Sequence, residues 1–440
     1  MKKILFLALT SMAFAAKTVT PSVPTLDTDG CYAISTADEL FGFADIVNAS
    51  ETHDECGKLT NDIAVNEFVG KGGILSVKGD SVLWTPIKLF SGVFDGQNHT
   101  ISGLMNETQD SSNVGLFAEL RGNLSDSNAP EKKAVVKNLR LVQTYFWGGE
   151  GCVGGIAGKA EFAEILNSRS SNFGTINSQK ITGGLIGCAS DVKISESSNH
   201  AYVSTSSRDT VNSASGGLVG FNSGSLSIVN SYNSGSVRGN VVGGFVGSSV
   251  GKLNIVNAIN LYAVSGTFES TPVRILGKYN EAETYVDNCF YYGDREHEAN
   301  SFAALADEDN LKNGVIAMLL RGYNKDGVDG SVWGQRIGAS GLELSGKMLV
   351  EYHIDMYDFD SLVVKTPALV DDCYQIGSTE ELYGFAVIAN MYSYKKVPVC
   401  GKLTKDIVVN KDILKNDTLN GDRFGRIRWY PIKDFNGSFD

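Results

Sequence analysis

The sequence predicts an all-β protein: a right-handed parallel β-helix (β-solenoid) with a helical N-terminal cap, followed by the start of a second, truncated repeat unit. Composition favours this fold, because 49 glycines and only 8 prolines are typical of short strands joined by many turns. A phrase such as GGLVG recurs, with the glycine before its aliphatic pair at positions 115, 155, 184, 217 and 244. Self-similarity of this kind indicates stacked units that bury each other's apolar faces.

Residues 1–15 have the pattern of a secretory signal peptide. The chain begins MKK, continues with an apolar run from Ile4 to Leu9, and reaches an A-x-A site that ends at Ala15. The run is too short to span a membrane, which takes about 20 apolar residues. We therefore expect a secreted or cell-surface protein with no transmembrane segment.

The net charge is the next constraint. It is −12 for the whole chain, and loss of the two leader lysines would make it −14. This acidic balance argues against nucleic acid and anionic membranes as partners.

The predicted β-helix occupies residues 24–299 and begins with a helical cap. In STADELFGFADIVN, Ser35 stands three positions before Asp38, as in a capping box, and apolar residues follow at helical spacing. LTNDIAVN and SGVFDGQNHTISGL have the composition of the first strands. A helix over this end would cover the unpaired edge of the first sheet.

The core repeats lie at about residues 114–264, where a second phrase aligns with the first. Segments that start at Ile165, Ile194, Ile228 and Ile255 form the alignment. One column contains Asn167, Glu196, Asn230 and Asn257, and another contains Asn199, Asn233 and Asn260.

Each set of equivalent residues in these repeats has a predicted role. We predict that the asparagines form ladders at the bends. The glycines would accept positive φ and close backbone approach there. Leu218-Val219 and Phe245-Val246 would contribute to the core.

Residues 300–370 depart from the repeat pattern. DEDNLKNGVIAMLLRGYN predicts a helix followed by a turn, after which the chain continues as a linker. Residues 371–440 then repeat the beginning, and WYPIKDFNGSFD matches WTPIKLFSGVFD so that Trp429 corresponds to Trp84. We expect residues 371–440 to be the N-terminal part of a second β-helix unit, and the chain to be a piece of a longer tandem protein.

Seven cysteines accompany the predicted export. Cys31 and Cys56 occupy the same places in the first unit as Cys373 and Cys400 in the second, which predicts two equivalent disulfides; two buried free thiols per unit are the alternative. Cys152, Cys188 and Cys289 are an odd number, so at least one is free or pairs outside the chain.

These phrases resemble GLUG-motif repeats, over roughly residues 114–264. The flanking FDGQNHTISGL, VVKNLRLV and VWGQRIG resemble other segments of the same secreted bacterial proteins. The resemblance implies a fold similar to filamentous-haemagglutinin-type β-helices, and such repeats also occur as stalks beside IgA-protease-type domains. It implies no chemistry, because fold similarity does not transfer function.

Motifs for catalysis or cofactors are weak. The matches to G-x-G-x-x-G at 149–154 and G-x-S-x-G at 247–251 lie in glycine-rich bends and lack the required helix or partners. HE at 297–298 lacks the second histidine of a zinc site. Glu161, Glu164 and Glu196 are the carboxylates that lie near one another in register. We expect no cofactor, no metal and no enzymatic activity.

Aromatic side chains are the remaining functional signal. We predict that some of them present flat rings to a glycan or protein, while alternate residues of each run face the core. The leading hypothesis is an adhesin or structural stalk. A carbohydrate-active β-helix enzyme (lyase or hydrolase) and the stalk of a larger surface enzyme remain as alternatives. The candidate ligand-binding aromatics are Tyr145, Trp147, Tyr232, Tyr262 and Tyr291.

Overall fold

The structure is a computed structural model of the chain. The predicted signal peptide, the HE pair and parts of several loops lie outside the residues that it describes. These residues are 19–71, 74–77, 81–110, 112–122, 132–172, 174–207, 213–262, 264–266, 275–292, 303–335, 342–344, 353–355, 361–393, 398–411, 413–415, 418–419, 426–427, 429 and 431–440.

The protein is mostly β, and four sheets contain most of its strands. Sheet A has fourteen strands and pairs in parallel except for its first hairpin. Its strands are Thr25–Leu26, Tyr32–Ile34, Cys56–Leu59, Val93–Asp95, Phe117–Arg121, Ala134–Lys137, Ala157–Leu166, Ile186–Ser195, Val219–Asn222, Leu226–Val229, Val246–Ser249, Leu253–Val256, Leu276–Lys278 and Thr284–Asp287.

Sheets B, C and D are entirely parallel. Sheet B consists of Ile63–Ala64, Thr100–Ser102, Arg140–Val142, Arg169–Asn172, Ser198–Asn199, Tyr232–Asn233, Ile259–Asn260, Cys289–Tyr292 and Ala303–Ala306. Sheet C consists of Met105–Glu107, Tyr145–Gly148, Thr175–Ser178, Tyr202–Thr205, Val237–Gly239 and Val264–Gly266. Sheet D consists of Cys152–Gly154, Ile181–Gly183, Ala214–Gly216 and Val242–Gly243.

Each sheet is built from successive passes of the chain, and the pairing register agrees with the sequence alignment. Ile165 pairs with Ile194, Ile194 with Ile228, and Ile228 with Ile255. All four are fully buried, as are Leu218, Val219 and Phe245. Alternation along each strand therefore directs one set of side chains into a shared apolar core.

The predicted asparagine columns form hydrogen-bonded ladders. At the bend after sheet A, the Asn167 amide donates to Asn138 Oδ1 (2.8 Å) and the Asn257 amide donates to Asn230 Oδ1 (2.6 Å). These four residues have φ between 42° and 56°, the left-handed region that asparagine tolerates better than most residues. Glu196 takes the place of asparagine on one pass, also with positive φ (51°).

The second ladder lies inside sheet B and is fully buried. Asn199 Nδ2 donates to Asn233 Oδ1 (2.9 Å), and Asn233 Nδ2 donates to Asn260 Oδ1 (2.8 Å). Each amide also satisfies backbone groups two residues further on, such as the Gly235 carbonyl and N–H for Asn233.

Of the two roles predicted for the repeated glycines, the structure confirms close backbone approach and contradicts positive φ. Positive φ occurs at the asparagine column and not at Gly184 or Gly217. A Cβ on Gly217 would overlap the carbonyl oxygen of Gly244 and the Asn233 side chain, and one on Gly184 would overlap Gly217 and Asn199. These glycines are therefore required by the close approach of neighbouring passes and of the buried ladder.

Four helices lie outside the sheets: α1 (Ala37–Ala49), α2 (Glu308–Lys312), α3 (Val315–Arg321) and α4 (Thr379–Ser393). None of the helices in the described ranges has the length and apolar character that a membrane crossing requires. The described residues also include the short 3₁₀ turns Glu281–Glu283 and Gly330–Val332.

Two details of the helices differ from the prediction. The N-cap of α1 is Thr36, whose side chain accepts from the Glu39 N–H, while Glu39 Oε2 accepts from Ser35. The capping box is therefore shifted by one residue. The single helix predicted after residue 306 is two helices, because Gly314 adopts φ 86° and ends the first one.

Residues 368–439 repeat the pairing of the first four strands of sheet A, one antiparallel pair followed by two parallel pairs. Their sheet E consists of Ala368–Val370, Cys373–Ile376, Val399–Leu403 and Gly437–Phe439. Trp84 is fully buried beside Leu116 of the next pass, to whose carbonyl its indole donates (3.1 Å), whereas Trp429 is 42% exposed.

The remaining strands form two-stranded pairs: Phe68–Lys71 with Ile74–Val77, Asn324–Lys325 with Val328–Asp329, Trp333–Gln335 with Leu342–Leu344, His353–Asp355 with Ser361–Val363, and Leu414–Lys415 with Thr418–Leu419.

Three disulfides are present. Cys31–Cys56 and Cys373–Cys400 are the pairs that the repeated segments predict. The third, Cys152–Cys188, links sheet D to sheet A on the next pass. Cys289 is a buried free thiol.

Peptide mapping under non-reducing conditions tests this pattern. We expect three linked pairs, and we expect Cys289 to react with a thiol reagent only after unfolding, because burial denies the reagent access. A Cys289 that reacts in the native protein, or a free Cys152, would contradict the arrangement.

The variant Asn233→Ala tests the buried ladder. It removes one partner from the Asn199 amide, from the Asn260 oxygen and from the Gly235 backbone groups, all buried, so the free energy of unfolding should fall by about 2–3 kcal/mol. Urea denaturation measures this. Asn254→Ala, at a partly exposed position of the neighbouring pass, is the control and should change stability by less than about 0.5 kcal/mol. Equal losses of stability in the two variants would show that the ladder contributes no more than an ordinary polar residue.

Candidate ligand-binding surface

Two of the five predicted aromatics are buried and do not face a ligand. Tyr291 is 4% exposed and points into the main core. Tyr232 is 3% exposed, although it stands on the outer side of sheet B. Its ring packs against Trp333 (6.0 Å between ring centroids) in an apolar cluster that includes α3. The expectation fails here because the segment after residue 306 covers this side of the sheet.

Tyr262 is 52% exposed but stands alone, in the connection between sheets B and C. Its ring makes no aromatic contact within the described residues. A solitary exposed ring is common on protein surfaces, so Tyr262 serves best as a reference position.

Tyr145 and Trp147 lie on one face of sheet C. They are two residues apart on the same strand, while Phe146 and Gly148 between and after them are buried. In register, Tyr145 pairs with Thr175, which pairs with Tyr202 on the following pass. Tyr202 is 38% exposed, so three aromatic side chains share one outer face.

Polar side chains accompany these rings. Trp147 pairs in register with Asn177, and the same row continues through Ser204 to Arg238. The Asn177 Oδ1 atom is buried without a hydrogen-bond partner. Burial and the Glu107 carboxylate raise the pKa of Tyr145, which therefore remains a neutral donor. We call this surface the aromatic strip; it consists of Tyr145, Trp147, Asn177, Tyr202 and Arg238.

Sequence reasoning missed three members of the strip. Tyr202, Asn177 and Arg238 fall in the variable part of the repeats, beyond the aligned asparagine columns. Only the pairing register of sheet C places them beside Tyr145 and Trp147. One sequence signal could have found them. It is the alternation of polar and apolar residues, counted onward from the column that contains Asn199.

A polar network surrounds the buried Tyr232. Its hydroxyl lies 3.1 Å from His200 Nε2, which is also 3.1 Å from Ser198 Oγ, while His200 Nδ1 lies 2.7 Å from Ser234 Oγ. Burial, and secondarily the charge of Arg169, lower the pKa of His200 to about 3. The ring is therefore neutral at physiological pH and can donate from one nitrogen and accept at the other.

The acidic residues that the enzyme alternative needs are mostly in ion pairs. Glu161 lies 3.1 Å from Lys159, and Glu164 lies 2.8 Å from Lys133. Glu196 is different, because burial and the nearby Asp329 raise its pKa. The pKa of Asp329 is lowered by hydrogen bonds from Ser331.

A small, partly open cleft lies between α3 and residues 366–392. Its polar walls are already paired: Tyr323 donates to Asp287 Oδ2 (2.8 Å), and Tyr392 donates to Asn288 Oδ1 (3.2 Å). The cleft is therefore a seam between packed segments, with few groups left to bind a ligand.

Comparison with known proteins does not assign the chain to a family. No protein-family model matches the chain, and no curated protein matches its sequence. Among solved structures, it is similar to a crystal structure described as a "putative immunoglobulin A1 protease from Bacteroides ovatus", with 18% sequence identity and a TM-score of 0.40. The match covers 58% of this chain and 86% of that one. A similarity at this level carries no inference.

The pKa of His200 predicts a pH effect on stability. The unfolded imidazole binds a proton near pH 6.5, whereas the folded one resists protonation until about pH 3. The contribution of His200 to the free energy of unfolding is fully present above pH 6.5 and is lost as the pH falls towards 3. The slope is at most about 1.4 kcal/mol per pH unit, and less because the ring is partly exposed.

The measurement is a urea titration at several pH values between 7 and 4. His200→Gln should have a flatter profile than the parent, because glutamine does not titrate. An NMR titration of the His200 ring with a midpoint above pH 5.5 would contradict the prediction.

Proposed function

We propose that the chain is an exported β-solenoid that binds carbohydrate at a cell surface through its aromatic strip. It acts as an adhesin and has no catalytic role of its own. The solenoid comprises residues 24–299, with core repeats at 114–264. A post-solenoid segment (300–370) and the beginning of a second unit (371–440) follow.

The pairing pattern supports the solenoid. From residue 134 to residue 243, successive passes run through sheets A, B, C and D in that order and pair with the neighbouring pass in parallel register. We take the winding as right-handed because crossovers between parallel strands are right-handed in nearly all proteins. The GLUG-like phrases coincide with sheet D and the start of the next strand of sheet A.

Export is supported by the N-terminal pattern of residues 1–15 and by the three disulfides. Disulfides persist mainly in oxidising compartments outside the cytosol. A cell-surface location would also suit a rigid array, since several weak sites on one body can bind a polymeric ligand by avidity.

The observation that carries the binding proposal is the pair Tyr145 and Trp147 on one outer face, with Tyr202 two strands away. Neighbouring strands are about 4.8 Å apart, so the rings form a flat, extended platform. The apolar C–H face of a sugar ring can stack on such rings, which have an apolar body and a polar edge. Asn177 and Arg238 supply hydrogen-bonding groups for the hydroxyls.

The variant Trp147→Ala tests this role. Truncation of a central aromatic in a binding site costs about 2 kcal/mol or more, so affinity should fall at least about 30-fold. The purified mature chain is incubated with insoluble polysaccharides, and depletion from the supernatant gives the affinity. Tyr262→Ala, an exposed ring outside the strip, is the matched control and should bind as the parent does.

Two outcomes would contradict the proposal. Equal binding by the Trp147→Ala variant and the parent would remove the strip as the site. Absence of depletion on every polysaccharide would instead favour a structural stalk, including the stalk of a larger enzyme.

The second candidate function is a carbohydrate-active enzyme, favoured by the opposite pKa shifts of Glu196 and Asp329. A raised and a lowered carboxyl pKa in one place are typical of an acid and a base in glycoside cleavage. The same supernatants are assayed for released sugars and unsaturated products. Release that is abolished by Glu196→Gln would establish this function and overturn the non-enzymatic one.

A further inference from the structure

Two arginines lie side by side on the outer face of sheet B. Arg140 and Arg169 are directly paired in register on neighbouring parallel strands, whose spacing is about 4.8 Å. Both are partly buried. The row continues from Arg169 to Ser198 and then to Tyr232. Two like charges are thus held at the shortest distance that a parallel sheet allows.

Neither guanidinium has an acidic partner among the described residues. Arg140 donates to the Asn98 amide oxygen (3.2 Å), and Arg169 Nε is buried with no hydrogen-bond partner. Several basic side chains elsewhere do have acidic partners. Those within 4.0 Å of a carboxylate include Lys58, Lys132, Lys133, Lys137, Lys159 and Lys180.

The missing partner matters because acidic residues outnumber basic ones in this chain, 50 to 38. An unpaired arginine pair is therefore not explained by a shortage of carboxylates. Burial and the charge of Arg169 lower the pKa of Arg140, and Arg169 also contributes to the low pKa of His200. Both effects are consistent with positive charge that no described residue neutralises.

The surroundings of the pair are rigid and polar. His200 is fixed by Ser198, Tyr232 and Ser234, and Tyr232 is held in turn by the Trp333 ring. This network borders the arginine pair on the side where the segment after residue 306 covers sheet B. On the other side, the sheet continues to Thr100, whose N–H is bonded to Asp62 (2.8 Å).

Planar guanidinium groups bind oxyanions with two parallel hydrogen bonds each, and they do so best where water is partly excluded. We propose that Arg140 and Arg169 bind the oxyanion substituent, a sulfate ester or a carboxylate, of an acidic glycan. This inference rests on the proposed function, which makes the ligand a carbohydrate. It adds a charge requirement that the aromatic strip alone does not impose.

The two surfaces are close in the chain. The strand Arg140–Val142 of sheet B leads into Tyr145–Gly148 of sheet C after only Gln143 and Thr144. One pass therefore carries both an arginine of the pair and the two main rings of the strip. A polymer lying across this corner would meet rings on one side and positive charge on the other.

The first experiment uses inorganic sulfate as the probe. Sulfate raises the melting temperature of most proteins by exclusion from their surface, so the informative quantity is the difference between variants. Arg169→Gln and Arg140→Gln are compared with Lys133→Gln, which loses the same charge from an ion pair on sheet A. All variants are melted in sodium sulfate and in sodium chloride of equal ionic strength.

We expect the parent and Lys133→Gln to gain stability in sulfate with a saturable dependence on its concentration. Each arginine variant should lose the saturable part while melting at or above the parent temperature in chloride, because a repulsive charge has been removed. A saturable sulfate effect that is unchanged in both arginine variants would overturn the site.

The second experiment identifies the source of the oxyanion. Binding of the mature chain is measured with a sulfated oligosaccharide, its desulfated form and a uronic-acid oligosaccharide. For the preferred acidic form, Arg169→Gln should bind at least about tenfold more weakly than Lys133→Gln. Trp147→Ala should weaken binding to neutral and acidic forms alike.

The results separate the two proposals. Equal affinity of Arg169→Gln and Lys133→Gln for every acidic form would overturn the acidic-glycan assignment and leave the aromatic strip intact. Failure of the parent to bind any oligosaccharide would overturn the proposed function, and the glycan assignment with it, whatever sulfate does.

Discussion

The structure depends on the satisfaction of backbone and amide groups at the bends between parallel strands. A chain that turns sharply after each short strand must bury polar groups that it cannot leave unpaired. The Asn199–Asn233–Asn260 ladder solves this for sheet B, because each amide bonds both the next asparagine and its own backbone. The ladder also fixes register, since a shift of one residue would move each amide out of reach of the asparagine on the next pass.

Fixed register has a functional consequence: it turns positions far apart in sequence into continuous rows. Tyr145, Thr175 and Tyr202 become one row of sheet C, and Arg140, Arg169 and Ser198 become one row of sheet B. No single pass contains a binding site. Each pass adds one or two side chains, and the surface chemistry arises from the stacking itself.

The aligned phrases were sufficient to predict the register, the two asparagine columns and the residues of the core. They were not sufficient to predict Cys152–Cys188, because that pair depends on how sheet D meets sheet A on the following pass. They also assigned positive φ to the glycines, since both glycine and asparagine adopt it. Steric contact decides between them: only glycine fits where two backbones meet, as at Gly217.

The second failure of sequence reasoning concerns the outer faces, because period-two alternation cannot show which outer face is covered later in the chain. Tyr232 alternates as an exposed residue should, yet Trp333 and α3 bury it. Two hydrogen bonds join the covering segment to the asparagine ladder at the bend after sheet A. The Asn230 amide donates to the Asp329 carbonyl (2.8 Å), and the Asn257 amide donates to the Leu320 carbonyl (2.9 Å). The second of these bonds adds an acceptor contact for a carbonyl in the last turn of α3.

The position of this cover also defines the arginine site. Along sheet B, the outer positions Phe290, Ile259 and Tyr232 are apolar or aromatic and lie beneath the covering segment. Beyond them the row changes to Ser198, Arg169 and Arg140. Burial alone accounts for apolar side chains beneath the covering segment and for charged side chains beyond it. Burial does not explain why the first charges beyond the boundary are two arginines with no carboxylate partner among the described residues, in a chain rich in carboxylates. A ligand that brings its own negative charge supplies that explanation.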